Sequence, residues 1–514
     1  MTINKNVVVH IGLGNFSRAH FARYLHDYNA IAKQEGLVEW EIRAVDRDTQ
    51  RTRDLIEYFE TTNYTYDLMA SSESYNKTTK IGSIVDLANM GVDPQRAIDI
   101  IAEYSTKIVS LTVTEKGYSC DLATGKIMMN NELAHDLTAE GAKSPKSMLG
   151  LVTEALRVRM ESGMPPITLM SLDNIPGNGH VFRNAVMEFV KMKGNRELED
   201  WIREKVAFPS TMVDRITPNT VNASDTVICE PFRQWVIETN FCNERPQWEF
   251  MSGPKLVLTP NVLPYEHIKV RLLNGTHSAL AYSAFLTGHV FVDKAITDTR
   301  LQKLTTAIMA ETVVTVQEVQ GMELDKYMAM LCERFSNSKV SDTITRLCED
   351  GSVKGSSFWK PVIIDHIKAH REFPVMSIAI ASWIRFCLGV DAHGNEYIVK
   401  DPSMAEELKS LAEVAFYHGD VKPFLLAAFG GEVGANNFLI AQVQTAYSQI
   451  ALQGGMDAFL SNMLRNDASR EQTPDVPPHT GTDPDNKQNP LLCLRSQMSL
   501  PLGDSIADIS TAIA

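Results

Sequence analysis

Short apolar runs alternate with amphipathic segments over the first half of the chain. Residues 7–11 form a β-branched run that ends at a glycine turn, and residues 15–28 follow with apolar and aromatic side chains at helical spacing. Strands that alternate with helices are typical of a parallel, doubly wound sheet. The pattern predicts an α/β Rossmann-type domain at the N-terminal end. Further strand patterns cover residues 40–46, 107–113, 167–172 and 255–262.

The second half of the chain carries a helical pattern. From residue 265 onward, apolar positions recur at helical spacing over long runs, such as 268–286, 301–319 and 375–388. After residue 464 the sequence is rich in Pro, Asp, Thr and Asn, with too little apolar surface to offset the entropy of ordering. We therefore predict a Rossmann-type domain at 1–262, a mostly α-helical domain at 263–464, and a disordered C-terminal tail at 465–514.

Composition and charge narrow the class of partner. The 514 residues exceed what one hydrophobic core usually serves, and no apolar run approaches the roughly 18 to 20 residues of a membrane-spanning helix. A formal net charge of −14 would repel nucleic acid and anionic membranes. Seven scattered cysteines without a C-x-x-C pair suggest neither a disulfide framework nor a thiolate zinc site, and the first residues lack a signal-peptide pattern. We expect a cytoplasmic protein that acts on a small molecule, without nucleic-acid or membrane partners.

The glycine turn after the first strand is a candidate phosphate-binding site. Gly12 and Gly14 precede a helix, where free backbone N–H groups and the helix dipole can receive a pyrophosphate. Ser17 replaces the third glycine of G-x-G-x-x-G, so a plain strand-to-helix connection is the alternative. Asp46 ends the second strand, where a carboxylate binds the adenosine ribose of NAD and repels the 2′-phosphate of NADP. Unless Asp46 is a surface acid, the pattern favours NAD, although the neighbouring Arg47 would attract a phosphate.

The sharpest group of polar residues lies at the start of the helical half. On an α-helix with about 100° per residue, Glu266, His277 and Asn274 fall about 60°, about 80° and about 140° from Lys269, on one face. Burying such groups without partners costs several kcal/mol, so polar groups on a buried face require hydrogen-bond partners or a functional role. A solvated face at the domain boundary is the alternative that spacing alone leaves open.

These residue types suit the oxidation of a secondary alcohol. A base must take the hydroxyl proton while hydride leaves for a nicotinamide, and desolvation can lower the pKa of a lysine from about 10.4 towards neutral pH. We predict that Lys269 is this general base. Amide groups would stabilise the developing alkoxide; Asn274 is one, and the polar turn within residues 171–179 offers another.

Seven segments together resemble one enzyme family. In chain order they are GLGNFSRAH at 12–20, LTVTEKGY at 111–118, SLDNIPGNG at 171–179, MVDRITP at 212–218, EPFRQWVIE at 230–238, K-x4-N-x2-H at 269–277 and RFSNSKVSDTITRLCEDGSVK at 334–354. The combination resembles the long-chain mannitol dehydrogenase and fructuronate reductase family. The resemblance implies an NAD-dependent polyol or hexuronate oxidoreductase with a Rossmann-type domain, a helical C-terminal domain, a catalytic lysine and no metal.

The resemblance also assigns roles to individual residues. It implies that Asn174 and Asn274 form an oxyanion pocket beside Lys269. The implied sets are the catalytic residues Lys269, Asn174, Asn274 and His277, the substrate-binding residues Asp214, Arg346 and Lys354, the proton-relay residues Glu115 and Glu266, and the cofactor-binding residues Gly12, Gly14, Asn15, Phe16, Asp46 and Thr114.

Among substrates, we favour a hexitol oxidised at carbon 2, mannitol to fructose, because residues 334–354 resemble the mannitol branch of the family more than the fructuronate branch. Arg346 or Lys354 would equally pair with a carboxylate, so a fructuronate reductase acting on mannonate is the main alternative, and an arabinitol dehydrogenase is another. A non-catalytic NAD-binding sensor is the alternative outside enzymes. The intact lysine, asparagines and histidine argue against it.

Three other patterns carry weaker hypotheses. Tyr265-x-x-x-Lys269 imitates the tyrosine and lysine of short-chain dehydrogenases, although the glycine turn of that class is absent. His366 and His370 could present two imidazoles to a zinc ion, but no third ligand is evident. Ser499 in the tail could recruit an arginine-rich partner when phosphorylated.

Overall fold

The chain divides into two compact units. The first contains the described residues up to Glu266 together with Asn337–Val340, and the second contains His267–Ser336 and the described residues from Ser341 onward. The computed structural model describes residues 5–121, 125–218, 226–251, 255–319, 321–391, 393–401, 404–451 and 455–470, the residues 464–470 by their backbone alone. Residues 465–470 of the predicted tail belong to a helix. The remaining residues of the predicted tail, 471–514 with Ser499, lie outside the described residues.

The first unit is built around a parallel sheet. Its strands are β1 (Asn6–Ile11), β2 (Trp40–Asp46), β3 (Tyr66–Ser72), β4 (Tyr75–Ile81), β5 (Ile84–Asn89), β6 (Thr106–Leu111), β7 (Thr168–Ser171), β8 (Thr211–Asp214), β9 (Thr226–Cys229), β10 (Gln234–Glu238) and β11 (Leu256–Thr259). Strands β5-β2-β1-β6-β7 lie side by side in that order, and all their pairings are parallel. The predicted Rossmann-type sheet is confirmed, and β2 covers the predicted residues 40–46.

Two small mixed sheets hold the remaining strands. Their orders are β11-β10-β8 and β4-β3-β9, and each combines one parallel and one antiparallel pairing. The sequence analysis missed most of these strands. Strand β4, with the sequence YNKTTKI, shows why: its side chains are mostly exposed, so no apolar alternation marks it.

Helices cover both faces of the parallel sheet. Val7, Val9 and Ile11 of β1 enter one apolar core and Val8 enters the other, as expected for alternating side chains of a strand. The predicted helix at 15–28 is broken at His20 and continues beyond its predicted end. The helices of this unit are α1 (Asn15–Ala19), α2 (Phe21–Glu35), α3 (Gln50–Thr62), α4 (Pro94–Ala102), α5 (Thr114–Gly117), α6 (Asn131–Asp136), α7 (Ala139–Lys143), α8 (Met148–Glu161), α9 (Asn178–Met192), α10 (Arg196–Lys205) and α11 (Leu263–Ile268), whose last two residues belong to the second unit, with 3₁₀ turns at Trp248–Phe250 and Ser338–Val340.

The second unit is mostly helical, as predicted. Its α-helices are α12 (Thr276–Leu286), α13 (Val292–Thr297), α14 (Thr299–Val313), α15 (Leu324–Phe335), α16 (Ile344–Cys348), α17 (Gly351–Lys354), α18 (Lys360–Lys368), α19 (Pro374–Cys387), α20 (Ala405–His418), α21 (Lys422–Gly434), α22 (Asn437–Ala451) and α23 (Gly455–Arg470). Helix α19 packs against α12 and α22 in its apolar core. No helix in the described part of the chain combines the length and apolar character needed to cross a membrane.

Two predictions of regular α-helix in this unit are wrong. The predicted helix at 301–319 ends at Val313, because the chain turns there. The predicted helix at 268–286 contains a π-helix at Lys269–Gly275, named here the first π segment. A second π segment, Gly355–Trp359, joins α17 to α18. Such segments are rare and occur frequently at functional sites.

Candidate active site

The glycine turn at the end of β1 leaves open space beside Gly14. Gly12 has a positive φ of 88°, and a Cβ there would lie 2.3 Å from the carbonyl oxygen of Thr112, so only glycine fits. Gly14 has φ −92° and ψ −178°, which any residue adopts, and a Cβ there would meet no atom within 4 Å. The fold itself does not require glycine at 14. The free space suits a pyrophosphate that approaches the backbone closely.

Asp46 lies beside this turn at the end of β2. Its carboxylate accepts the backbone N–H groups of Leu13 at 3.1 Å and Arg47 at 2.8 Å, one on each oxygen. Lone pairs remain on both oxygens for ribose hydroxyls. Burial raises the pKa of the Asp46 carboxyl. The guanidinium of Arg47 is ion-paired with Glu132, which offsets the charge that would attract a 2′-phosphate. The geometry therefore fits NAD better than NADP.

A partly buried hydrogen-bond chain supports the glycine turn. The Thr112 hydroxyl donates to the carbonyl of Gly12 at 2.7 Å, and His10 Nε2 lies 3.1 Å from the same hydroxyl. Since that hydroxyl has one proton, His10 donates to it from Nε2 and accepts at Nδ1 from Ser110, 2.9 Å away. Burial lowers the pKa of His10 to about 4, so the ring is neutral at pH 7. Sequence reasoning missed this chain; its signal is a histidine within a β-branched strand.

The predicted residues Asn15 and Phe16 begin helix α1 directly after the turn. The Asn15 amide oxygen accepts from Arg18 at 2.7 Å and from Arg51 at 3.3 Å. The Phe16 ring stacks on His20, with centroids 5.1 Å apart. Both side chains thus have structural contacts, and their roles in cofactor binding stay predictions.

Asp173 fixes the loop that follows β6. Its buried carboxylate accepts the N–H groups of Val113 at 3.1 Å and Thr114 at 2.9 Å and the Tyr118 hydroxyl at 2.8 Å. Thr114 has a φ of 61°, a left-handed conformation that costs free energy in a residue with a branched side chain. Asp173 stabilises that conformation, and Glu115 follows it at the exposed surface. The sequence analysis missed Asp173, although it directly precedes the predicted Asn174.

The turn that contains Asn174 is anchored by buried polar groups. Glu266 is buried and accepts the N–H of Gly177 at 3.0 Å. The Asn178 amide donates to the carbonyls of Asp173 and Thr211, each at 2.9 Å, and so joins the turn to β8. The Asn174 side chain is exposed, whereas Asp214 is buried at the end of β8.

In the second unit, the first π segment changes the angular positions that an α-helix would give to Asn274 and His277 relative to Lys269. A π-helix bonds i to i+5, so its extra residue turns the following residues back by about 100° relative to an α-helix. Asn274 then lies about 40° to one side of Lys269 and His277 about 20° to the other, instead of about 140° and about 80° away. The π register therefore brings the three predicted residues onto one narrow face.

The His277 ring is held neutral and fixed in orientation. It stacks on Phe335 with centroids 4.6 Å apart and an interplanar angle of 9°. Burial, followed by the positive charges of Arg346, Lys354 and Arg334, lowers the pKa of His277 to about 3. The predicted substrate residues Arg346 and Lys354 therefore lie near enough to act on His277 electrostatically.

Internal contacts orient these two cations. Arg346 is ion-paired with Asp342, and the Lys354 ammonium donates to the carbonyl of Leu347 at 2.9 Å. The Arg346 side chain is 54% exposed, whereas Lys354 is half-buried, and this burial lowers the pKa of the Lys354 ammonium. Glycines set the helix of Lys354 closely against aromatic rings, because a Cβ on Gly351 would lie 2.5 Å from the Trp383 ring.

Two polar atoms on the face of Lys269 have no hydrogen-bond partner in the described part of the chain. Among the described residues, neither Asn274 Oδ1 nor His277 Nε2, both buried, has a hydrogen-bond partner. Lys269 on the same face is 7% exposed. An unsatisfied buried polar atom costs about 1–3 kcal/mol, so it calls for an explanation. A ligand with hydroxyl groups would satisfy both atoms.

The structure bears on two of the weaker hypotheses, the histidine pair and Tyr265. His366 Nε2 lies 3.1 Å from the carbonyl oxygen of Glu311, within bonding distance, and His370 is exposed. Within the described ranges, no three His, Cys, Asp or Glu residues are grouped to hold a metal ion. Tyr265 is buried one residue before Glu266 and stays a competing candidate that mutation can test.

The structure gathers the predicted residues into two sets. The first set lies at the carboxyl ends of the adjacent strands β1, β2, β6 and β7, where ligands bind in sheets of this kind. It contains the glycine turn after β1, Asp46 at the end of β2, Thr114 after β6 and Asn174 after β7. The other set, in the second unit, is Lys269, Asn274, His277, Arg346 and Lys354.

Comparison with known proteins gives matches over both units. The model of the mannitol dehydrogenase Rossmann domain matches residues 6–250, and that of the mannitol dehydrogenase C-terminal domain matches residues 261–451. D-mannonate oxidoreductase of Escherichia coli (strain K12) is 35% identical over 470 residues, which cover 88% of this chain and 94% of that protein. Mannitol 2-dehydrogenase of Emericella nidulans is 32% identical over 471 residues, covering 88% and 91%.

A solved structure is similar over nearly the same length. It is Pseudomonas fluorescens mannitol 2-dehydrogenase in a ternary complex with NAD and D-mannitol. The two structures agree with a TM-score of 0.78 at 34% sequence identity, covering 90% of this chain and 94% of that one.

Proposed function

Because the chain belongs to the mannitol dehydrogenase family, as its sequence motifs predicted, we propose that this NAD-dependent oxidoreductase converts mannitol to fructose with Lys269 as general base. The observation that carries the proposal is the narrow face of the first π segment. It combines a buried amine with two polar atoms, Asn274 Oδ1 and His277 Nε2, that have no hydrogen-bond partner among the described residues.

In this proposal Lys269 accepts the proton of the substrate hydroxyl. The O–H bond breaks, its electron pair forms the second carbon–oxygen bond, and the C–H bond releases a hydride. NAD, when bound, supplies the hydride acceptor. A base must be neutral to accept a proton, and low solvent exposure favours the neutral form of an amine. Lys269 is suited to the step because it is buried.

In the proposed mechanism, further polar groups stabilise and orient the reacting oxygen. Asn274 and Asn174 supply amide groups for the developing alkoxide, a contribution of several kcal/mol in comparable sites. His277, which is neutral, hydrogen-bonds the same region without adding charge. Asp214, Arg346 and Lys354 hold the remaining hydroxyls. These roles, and a proton relay through Glu115 and Glu266, are parts of the proposal.

A sugar acid is the second candidate substrate. Burial is the larger cause of the low pKa of His277, and the positive charges of Arg346, Lys354 and Arg334 lower it further; the potential of these three charges favours a carboxylate. D-mannonate oxidoreductase among the relatives points the same way. Arg346 already pairs with Asp342, which offsets part of this charge and keeps mannitol the first choice.

Replacing the proposed base tests the mechanism. In Lys269→Met we expect kcat to fall by a factor of about 10³ or more, because general-base catalysis contributes about 10²–10⁴-fold. Lys294→Met, which removes an exposed lysine of the same unit, should change kcat less than twofold. Tyr265→Phe should retain most activity. An active Lys269→Met variant, or equal losses in Tyr265→Phe and Lys269→Met, would contradict the proposal.

A substrate panel decides between the two candidates. The purified full chain would be assayed with mannitol, sorbitol, arabinitol and mannonate plus NAD or NADP, and with fructose and fructuronate plus NADH or NADPH. We expect the highest kcat/KM for mannitol and fructose with NAD(H). A higher value for mannonate and fructuronate would establish the sugar-acid alternative. NADH binding without turnover of any compound would support the sensor hypothesis.

A further inference from the structure

The two π segments of the second unit end at one shared hydrogen bond. The first ends at Gly275 and the second at Trp359. The indole Nε1–H of Trp359 donates to the carbonyl oxygen of Gly275 at 3.0 Å, in the buried interior. A Cβ on Gly275 would lie 3.6 Å from Trp359 Cδ1, so the ring lies close against the backbone of the first segment. The bond joins residues that are 84 positions apart in the chain.

The second segment provides a rigid support. Trp359 is 1% exposed and meets Tyr282 and Trp383 edge-on, with ring centroids 5.9 Å and 5.8 Å apart. Trp383 also lies against Gly355, where a Cβ would be 2.9 Å from its ring. Both ends of the second segment are thus fixed on one aromatic cluster. The indole N–H transmits this constraint to the first segment.

The first segment needs such a constraint. Helical segments with π bonding are rare compared with α-helix, so surrounding contacts must stabilise them. A return to α register would turn Asn274 and His277 about 100° away from their present positions relative to Lys269. A change of the first π segment to α register would therefore move Asn274 and His277 away from Lys269.

We propose that Trp359 is a positioning residue for the active site. Its hydrogen bond to Gly275 holds Lys269–Gly275 in π register and so keeps Asn274 and His277 on the face of Lys269. The inference rests on the proposed function, because it assumes that Lys269 is the base. Trp359 itself touches no reacting atom in this proposal.

Two replacements at position 359 test the role of the indole N–H. Trp359→Phe removes the donor and part of the ring, and incorporation of 3-benzothienylalanine removes only the donor while keeping the ring shape. We expect kcat to fall at least tenfold in both, with the Kd for NADH within twofold of the parent. Backbone amides of residues 270–276 should exchange faster. The limb of the kcat/KM pH profile that reports the base should move to higher pH.

Trp248→Phe is the matched control. Trp248 is also 1% exposed, and its indole N–H has no acceptor among the described residues. This variant should change kcat less than twofold and leave the pH profile in place. The inference is overturned if the benzothienyl variant keeps the kcat and pH profile of the parent. It is also overturned if kcat and NADH binding fall equally, or if Trp248→Phe behaves like Trp359→Phe.

Lys269→Met, measured in parallel, separates this inference from the proposed function. If Lys269→Met is active, the proposed function fails whatever position 359 shows. If Lys269→Met is inactive and the benzothienyl variant is fully active, only the role of Trp359 is wrong. Should Trp359→Phe fail to fold, the benzothienyl variant decides, because its ring fills the same space.

Discussion

At the scale of single residues, the shape of the cofactor turn depends on the Thr112 hydroxyl. This group donates to the Gly12 carbonyl and accepts from the neutral ring of His10. In Thr112→Val, the Gly12 carbonyl loses a donor and His10 loses its acceptor. We expect the Kd for NADH to rise about tenfold, since a buried hydrogen bond of this kind contributes about 0.5–1.5 kcal/mol and an unpaired donor adds to the loss.

Thr106→Val is the control for this prediction. Thr106 begins β6 and is buried, whereas Thr112 directly follows the last residue of β6 and is half-buried; the Thr106 hydroxyl donates to the carbonyl of Ile100 at 2.7 Å, at the opposite end of the strand. Both variants should lose similar thermal stability. Only Thr112→Val should weaken NADH binding in a fluorescence titration, and equal Kd values for the two would refute the positioning role.

At the scale of elements, helix α19 is capped by a side chain from helix α14. The Glu311 carboxyl accepts the N–H groups of Val375 at 3.0 Å and Met376 at 2.7 Å, in the first turn of α19. Burial raises the pKa of Glu311 to about 8, against the opposing effect of these two bonds. The carboxyl is therefore mostly protonated in the folded protein at pH 7, whereas it is ionised in the unfolded chain.

This cap predicts a pH-dependent stability of the second unit. A folded pKa above the unfolded value gives stabilisation that is complete below pH 4.5 and is lost as pH rises through about 8. The loss should be on the order of 1 kcal/mol per pH unit within that window. Glu311→Gln cannot ionise, so the unfolding free energy of the parent should fall relative to that of the variant from pH 5 to pH 8 in urea titrations. Glu413→Gln, at an exposed position, should show a constant difference.

At the scale of the whole molecule, buried neutral histidines make the folded protein less stable at acidic pH. Burial lowers the pKa of His10 to about 4 and of His20 and His277 to about 3, from the ordinary 6.5. Below pH 6.5 the unfolded chain binds protons that the folded chain does not. Stability therefore falls as pH decreases from 6.5 towards 4, by up to about 1.4 kcal/mol per pH unit for each histidine.

Replacing one of these rings checks the prediction. His20→Phe should reduce the decrease of unfolding free energy between pH 6.5 and pH 5, because it removes a histidine that binds a proton in the unfolded chain but stays neutral in the folded protein. His418→Gln, at an exposed position, should leave that decrease unchanged. Identical slopes in parent and His20→Phe would show that His20 titrates normally in the folded protein.

Much of the fold followed from local pattern. The β-branched runs ending at Ile11 and Asp46 became adjacent parallel strands, and the long helical periodicity gave a helical second unit. Strand β4 and the bend at Val313 could not be predicted, because exposed strands and short turns leave no apolar periodicity. The predicted tail and the phosphorylation of Ser499 stay predictions.

The amino-acid sequence by itself determined the family, the glycine turn with Asp46, and the order of Lys269, Asn274 and His277, because each follows from residue types and their spacing along the chain. Only the tertiary structure decided the π register that places the last three of these residues on one face of the helix. The bond from Trp359 to Gly275 and the carboxylate of Asp173 beneath Thr114 connect distant segments. Contacts of this kind depend on packing in three dimensions, which no local spacing of residues encodes.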